Sequence, residues 1–413
     1  MAGAVPQGGF LSPEIVDKII DQVHLFPPRS SGWNEDDDSD DEEAELDRFG
    51  DPCPKDRRLS TLLSCSLVCR TWLPRSRYHI FGTTSVSFYN HASFMRLLDS
   101  PRCTFFTSVY TLHLDENMVR NDPDRPDDLE PGYYWLHHTL PTGFLFSFPE
   151  LKTLRISGAR FDWASDLDLE DLLGPCDLQG VPNLTLSCCH FRNLADLAGI
   201  LSSCAALVSA HLQLVCLVDP RVTLPTKFAL LSPLPESLTS LKINLYTHPS
   251  LVQLISRAST SLKHLSIGIA DSTTVSNPVE PLIDNIKYCS NLESVAFCPI
   301  HLQSYSREKC YKHIPIILQT ITSSSITDII MSVCANSVDD FDIFNWKSIA
   351  EILSQKKYAS LQRITVDNVK EKLVAEAKKK ITTKLKGLLA RNPSVEIIIS
   401  NDVERHETAF YGR

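Results

Sequence analysis

The segment LSPEIVDKIIDQVH (Leu11 to His24) puts Ile15, Val16, Ile19, Ile20 and Val23 on one side of a helix, with Asp17, Lys18, Asp21 and Gln22 on the other. Ser12 is placed to cap it, Pro13 suits the first helical position, and Glu14 sits near the positive end of the helix dipole. Helical patterning resumes at Leu59 in LSTLLSCSLVCRTWLPRSRYHIFG (Leu59 to Gly82), but here it is two-sided. Leu62, Cys65, Val68, Cys69, Trp72 and Leu73 share one broad side, while Leu63 and Leu67 fall away from it. A surface helix needs a single apolar stripe. This one carries enough apolar surface for two neighbours.

Beyond Gly82 the pattern changes to short triplets of the form L-x-x-L-x-L. They read VYTLHL (Val109), LKTLRI (Leu151), VPNLTL (Val181), LVSAHL (Leu207), LTSLKI (Leu238), LKHLSI (Leu262), LESVAF (Leu292), ITDIIM (Ile326), LQRITV (Leu361) and SVEIII (Ser394), with TTSVSF (Thr83) as an earlier, weaker copy. Successive triplets lie roughly 24 to 42 residues apart, a range that spans and exceeds that of leucine-rich repeats. Alternation within each triplet points apolar groups of a short strand into a continuous core, and the intervening helix covers the outer face. HPSLVQLISRAST (His248 to Thr260) supplies such a helix, with Leu251, Leu254 and Ile255 inward. A stacked α/β solenoid is the expected architecture; a doubly wound α/β domain is the alternative, although no glycine-rich phosphate loop follows any strand.

Three segments interrupt the pattern. WNEDDDSDDEEAELD (Trp33 to Asp47) has almost nothing to bury and repels itself, so it is expected to be a disordered insertion between the first two helices. Ser39 within it sits among acids, a context that acidophilic kinases favour. The Asn121–Glu150 segment contains Tyr133, Tyr134 and Trp135, which are candidate partner anchors unless the loop folds back and hides them. VKEKLVAEAKKKITTKLKGLLAR (Val369 to Arg391) is a basic amphipathic helix with Leu373, Ile381, Leu385 and Leu388 inward. Its position between triplets favours a solvated lysine face over membrane or nucleic-acid contact.

Composition narrows the function. With 413 residues, 43% hydrophobic and 22% charged, the chain is long enough for two or more domains and most of it should fold. A net charge of −10 argues against general nucleic-acid affinity. No apolar run reaches the roughly 18 residues needed to span a bilayer, and MAGAVPQGGF is a poor secretory signal. An intracellular protein, cytoplasmic or nuclear, with no membrane contact is expected. Thirteen scattered cysteines suit reduced core thiols, and neither Cys65/Cys69 nor Cys188/Cys189 has a second pair at zinc-binding spacing. No metal or cofactor is expected. G-x-S-x-G, H-E-x-x-H and Walker motifs are absent, so the chain is read as non-enzymatic.

The N-terminal segments LSPEIVDKII and LLSCSLVCRTWLPRSRYHIF together resemble an F-box, above all those of mushroom-forming (basidiomycete-type) fungi that carry irregular leucine-rich-like repeats. Leu11, Pro13, Glu14, Ile15 and Ile19 match the opening Leu-Pro-x-Glu and aliphatic helix, with Leu-Ser-Pro in place of Leu-Pro. Val68, Cys69, Arg70 and Trp72 match the closing Val-Cys-Arg-x-Trp. The resemblance implies a small all-α F-box module followed by an α/β leucine-rich-repeat-like solenoid. Residues 1–9 are a flexible N-terminus, 10–82 the F-box with a disordered acidic insertion at about 27–58, and 83–413 the solenoid. It implies a substrate receptor of an SCF-type ubiquitin ligase, which binds a Skp-family adaptor, through it a cullin, and an unknown protein target. The residues marked for the adaptor are Leu11, Pro13, Glu14, Ile15, Ile19, Leu63, Leu67, Val68, Cys69 and Trp72. The alternative is a repeat scaffold whose F-box-like segment only caps a solenoid.

Overall fold

A computed structural model describes residues 12–25, 54–68, 70, 72–101, 103–116, 135–136, 144–162, 178–218, 234–244, 249–268, 279–301, 313–335 and 337–401. Residues 1–9, most of the acidic insertion with Ser39, and the adaptor-marked Leu11 and Cys69 lie outside the described residues, as do Tyr133 and Tyr134. The chain divides into two compact units. One is Met1–Ser85 with Met95–Leu112 and Phe148–Leu151; the other is Val86–Phe94 with His113–Ser147 and Lys152–Arg413.

The first unit holds three helices, α1 (Pro13–Leu25), α2 (Pro54–Val68) and α3 (Leu73–Phe81). The Ser12 carbonyl accepts the N–H groups of Ile15 and Val16 at 3.0 and 3.1 Å, which closes the first turn of α1. The structure alters two sequence expectations here. Helix α2 begins at Pro54, inside the stretch assigned to the acidic insertion, rather than at Leu59. The Leu59–Gly82 segment is also two helices, not one, because Pro74 falls in the first turn of α3. In one continuous helix the Pro74 ring would clash with the carbonyl four residues earlier; in a first turn its missing N–H costs nothing. After α3, the Gly82 carbonyl accepts the N–H groups of Tyr110 and Thr111 at 3.1 and 2.9 Å. A Cβ on Gly82 would lie 2.3 Å from the Tyr110 ring, so only glycine fits.

Every triplet, TTSVSF included, contains one strand of a single eleven-stranded parallel sheet. The strands are β1 (Thr83–Ser87), β2 (Thr111–Asp115), β3 (Thr153–Ser157), β4 (Asn183–Ser187), β6 (Ser209–Gln213), β8 (Ser240–Asn244), β9 (His264–Gly268), β10 (Ser294–His301), β11 (Asp328–Ala335), β12 (Arg363–Val369) and β13 (Glu396–Ile399). Two short strands, β5 (His190–Phe191) and β7 (Cys216–Leu217), pair separately. Strand order follows chain order without reversal. The fold is therefore α/β but has no topological switch point of the doubly wound kind.

The triplets stand in register across the sheet. The fourth triplet position runs in register from Leu154 through Leu184, Ala210, Leu241 and Leu265 to Ile397, and the sixth from Ile156 through Leu186, Leu212 and Ile243 to Ile399. All of these are buried. Helices α5 (Leu194–Ser203), α6 (Gln253–Arg257), α7 (Val279–Ile286), α8 (His313–Thr320) and α9 (Trp346–Leu353) lie between the strands, while α4 (His91–Leu98) follows β1. Leu251, Leu254 and Ile255 are fully buried as expected. The helices end with deliberate chemistry: Asn193 Oδ1 accepts the N–H of Ala195 at 2.7 Å, and Lys357 Nζ donates to the Leu318, Gln319 and Ile321 carbonyls at 3.2, 2.6 and 2.8 Å.

The turns that leave successive strands share one geometry. Gly158, Cys188 and Leu214 each follow a strand by one residue and take positive φ of 73°, 53° and 52°. Gly158 N–H donates to the Ser187 carbonyl at 2.8 Å, and Cys188 N–H to the Gln213 carbonyl at 2.9 Å. Phe161 and Phe191 then stack with centroids 4.8 Å apart.

The basic segment at the C-terminal end departs from expectation. Val369 closes β12, and the helix is two, α10 (Val374–Lys384) and α11 (Lys386–Arg391), broken at Leu385. Ile381, Leu385 and Leu388 are buried, and Leu373 only partly. Lys380 pairs with Asp339 and Asp342 at 2.9 and 2.7 Å, and Lys384 with Asp342 at 3.1 Å. Among the described residues no helix is long and apolar enough to cross a membrane.

Candidate functional site

The apolar residues of α1 and α2 divide into two sets. Val16 and Ile20 of α1 bury against Leu62 of α2, and Trp72 and Ile80 pack on that cluster. Cys65, one turn beyond Leu62, is also buried. The other apolar residues described on these helices face outward. Leu63 is 47%, Leu67 85% and Val68 61% exposed, and Ile15 and Ile19 are exposed on α1. Each helix thus carries one exposed apolar pair at i and i+4 (Ile15/Ile19 and Leu63/Leu67), stacked one turn apart.

Electrostatics fix the helices around this core. Arg75 on α3 donates to Asp21 on α1 through Nε to Oδ1 at 2.6 Å and Nη2 to Oδ2 at 2.8 Å, and His79 Nε2 meets Oδ1 at 2.8 Å. Hydrogen bonding from Arg75, joined by His79, holds the Asp21 carboxyl down at about 2 against its burial. The guanidinium also lies 4.9 Å over the Tyr78 ring. Glu14 is exposed; hydrogen bonding to its own backbone and to Ser12 keeps its carboxyl below the ordinary value.

The residues marked from sequence therefore separate. Ile15, Ile19, Leu63, Leu67 and Val68 are exposed. Pro13 starts α1 and Glu14 completes its first turn. Trp72 is partly buried and packs against the helix core. Val68, at the end of α2, is exposed. The sequence search missed Asp21, Arg75 and His79 as a linked set, since they are 54 and 58 residues apart.

Trp135, a candidate partner anchor, is buried outright at 0% exposure. Its Nε1 donates to the Asp115 carbonyl at 3.1 Å and its ring stacks on His91 at 5.2 Å. It holds the molecule together and is unavailable to a partner. Beside it, Glu116 is buried and its Oε1 accepts the Leu136 N–H at 3.1 Å. Burial pushes the Glu116 carboxyl up to about 8, against hydrogen bonding from the Leu136 and Arg160 backbone.

The sheet face opposite the buried rows is open only in part: at the middle triplet position Arg155 is exposed and His211 and Lys242 are partly so, while Thr185, Ser266 and Ala296 are buried. Arg155, Thr185, His211 and Lys242 stand in register on β3, β4, β6 and β8. The sequence signal was available as the x of each L-x-L: LRI, LTL, AHL and LKI. Among the described residues no group of His, Cys, Asp or Glu is arranged to hold a metal ion. The described cysteines are free thiols, and burial pushes Cys189, Cys204 and Cys289 up to about 12.

No protein-family model matches this sequence, and no curated protein matches it.

Proposed function

We propose that the chain is the substrate-recognition subunit of a cullin-RING ubiquitin ligase. Helices α1 to α3 act as an F-box that binds a Skp-family adaptor, and the sheet repeats act as a leucine-rich-repeat-like solenoid that holds target proteins. The observation that carries this reading is the division of α2: Leu62 and Cys65 complete the helix core, while Leu63, Leu67 and Val68 remain exposed. Exposed apolar side chains that a module does not need for its own core are the raw material of an interface core. A solenoid cap has the opposite requirement, since its apolar residues must be buried within the chain. The eleven strands of the main sheet, which follow one another across it in chain order, support the repeat reading.

The mechanism is proximity. A receptor that holds its target beside a ubiquitin-loaded enzyme raises the effective concentration of the acceptor lysines, and no residue of this chain takes part in a covalent step. Size-exclusion co-elution with a fungal Skp-family adaptor tests the reading. The wild-type protein is expected to co-elute, and Leu63→Glu combined with Leu67→Glu to abolish the complex while its circular dichroism and melting temperature stay unchanged. Failure of the wild-type chain to form a complex overturns the adaptor assignment in favour of a repeat scaffold. Trp72 is a poor probe because its loss would perturb folding and binding together.

A further inference from the structure

The open face of the sheet differs in chemistry from everything around it. In β3 the burial alternates, with Leu154 and Ile156 inside and Arg155 exposed between them. Register sets Thr185, His211 and Lys242 beside Arg155 on that face of β4, β6 and β8; His211 and Lys242 are partly exposed there, while Thr185 is buried. His113 on β2 joins the row. Glu116 N–H donates to the Ser157 carbonyl at 2.8 Å, just as Gly158 N–H donates to the Ser187 carbonyl at 2.8 Å one repeat later, and this equivalence sets His113 opposite Arg155. His113 Nε2 meets Ser157 Oγ at 2.9 Å.

The flanking positions are uncharged and rich in hydrogen-bonding groups. Thr153, Asn183 and the buried Ser209 and Ser240 precede the row, and Ser157, Ser187, Gln213 and Asn244 follow it. The one acid on these strands is Asp115, at the β2 edge. Among the described residues neither Arg155 nor Lys242 lies within ion-pair distance of a carboxylate, although the sheet supplies such partners elsewhere, as for Arg363 with Asp328. Both histidines are held toward the neutral form, His113 by burial and by Arg155, and His211, down at about 3, by burial with Lys242 and Arg155. The fixed charge of the row is therefore that of the arginine and the lysine alone.

Spacing specifies the ligand. Neighbouring strands stand about 4.8 Å apart, so Arg155 and Lys242, three strands apart, are separated by about 14 Å. An extended chain rises about 3.4 Å per residue, so carboxylates four residues apart span a nearly equal distance. We propose that this face binds an extended acidic peptide laid across β3 to β8, with one carboxylate on Arg155, another on Lys242, and the partly exposed His211 imidazole between them. This names a target class for the receptor and in that role rests on the ligase reading, but the binding itself involves no adaptor. Single-stranded nucleic acid fits less well, because the row carries no Phe, Tyr or Trp on which a base could stack.

Fluorescence anisotropy with a labelled octaglutamate peptide and the full chain, without adaptor, tests the proposal. Wild-type protein is expected to bind, with affinity falling as salt is raised. Arg155→Glu combined with Lys242→Glu is expected to lower affinity about tenfold or more. Arg155→Gln, a milder change at an exposed position, should give an intermediate loss with an unchanged melting temperature. Absence of wild-type binding overturns the proposal, as does unchanged affinity in the charge-reversed protein, or tighter binding of a single-stranded oligonucleotide than of the peptide. Because adaptor co-elution is read separately on α1 and α2, either assignment can fail alone.

Discussion

Arg75 grips Asp21 with two parallel hydrogen bonds, Nε to Oδ1 at 2.6 Å and Nη2 to Oδ2 at 2.8 Å, and so ties α3 to α1. The fork geometry suits a carboxylate better than a single lysine contact could. The pair is about one-third exposed on each side, 33% and 31%, so solvent screens much of its attraction.

Asp21→Asn should therefore lower stability by only about 1 kcal/mol at neutral pH. The sign of the pH effect follows from the depressed carboxyl. Its contribution is complete above the ordinary value of 3.8 and fades as pH falls toward about 2. Melting curves of the wild-type and Asp21→Asn proteins should converge over that interval, and a difference that persists at pH 2 would refute the linkage.

Adjacent residues on α2 should behave oppositely. Leu62→Ala removes a fully buried side chain and is expected to cost about 2–4 kcal/mol in urea unfolding. Trp72→Ala should fall in the range of about 1–3 kcal/mol, because the ring is half-buried on the same cluster. Leu67→Ala, at a side chain 85% exposed, should stay within about 0.5 kcal/mol of wild type. If Leu67→Ala destabilised as much as Leu62→Ala, the outward surface of α2 would be part of a core.

Glu116 should make the protein less stable in mild alkali. Its carboxyl is raised to about 8 in the fold against 4.5 ordinarily, so the native state holds a proton that the unfolded chain releases. Stability contributed by that proton is complete below about 4.5 and is lost as pH rises through 8. Glu116→Gln should flatten this fall and melt above wild type at pH 8.5, since Gln retains an acceptor for the Leu136 N–H. Parallel melting curves across pH 5 to 8.5 for both proteins would exclude the raised carboxyl.

Much of the second unit was legible in the chain. Apolar alternation is local, and in a parallel sheet a strand's inward residues are inward wherever the strand lies, so L-x-x-L-x-L located all eleven sheet strands, the weak TTSVSF copy among them. The same rule made Arg155, His211 and Lys242 readable as outward residues, though not as neighbours. Their adjacency depends on register between strands 26 to 31 residues apart along the chain, as the paired positions Ser157 with Ser187, Ser187 with Gln213, and Ser209 with Ser240 set it.

The N-terminal helices were less readable, for a physical reason. A helical wheel shows that Leu62 and Leu63 point apart, but not which of them meets α1; that is decided by packing against Val16 and Ile20. Trp72 has the composition of an interface anchor, and only its place on that cluster makes it a core residue. Trp135 is the same case, closed off by its bond to the Asp115 carbonyl. The sequence alone determined where strands and helices form and which strand faces are apolar, because those follow from periodicity within a few residues. Tertiary structure decided which apolar residues remain uncovered and which charges stand together, because burial and electrostatics depend on neighbours distant in the chain.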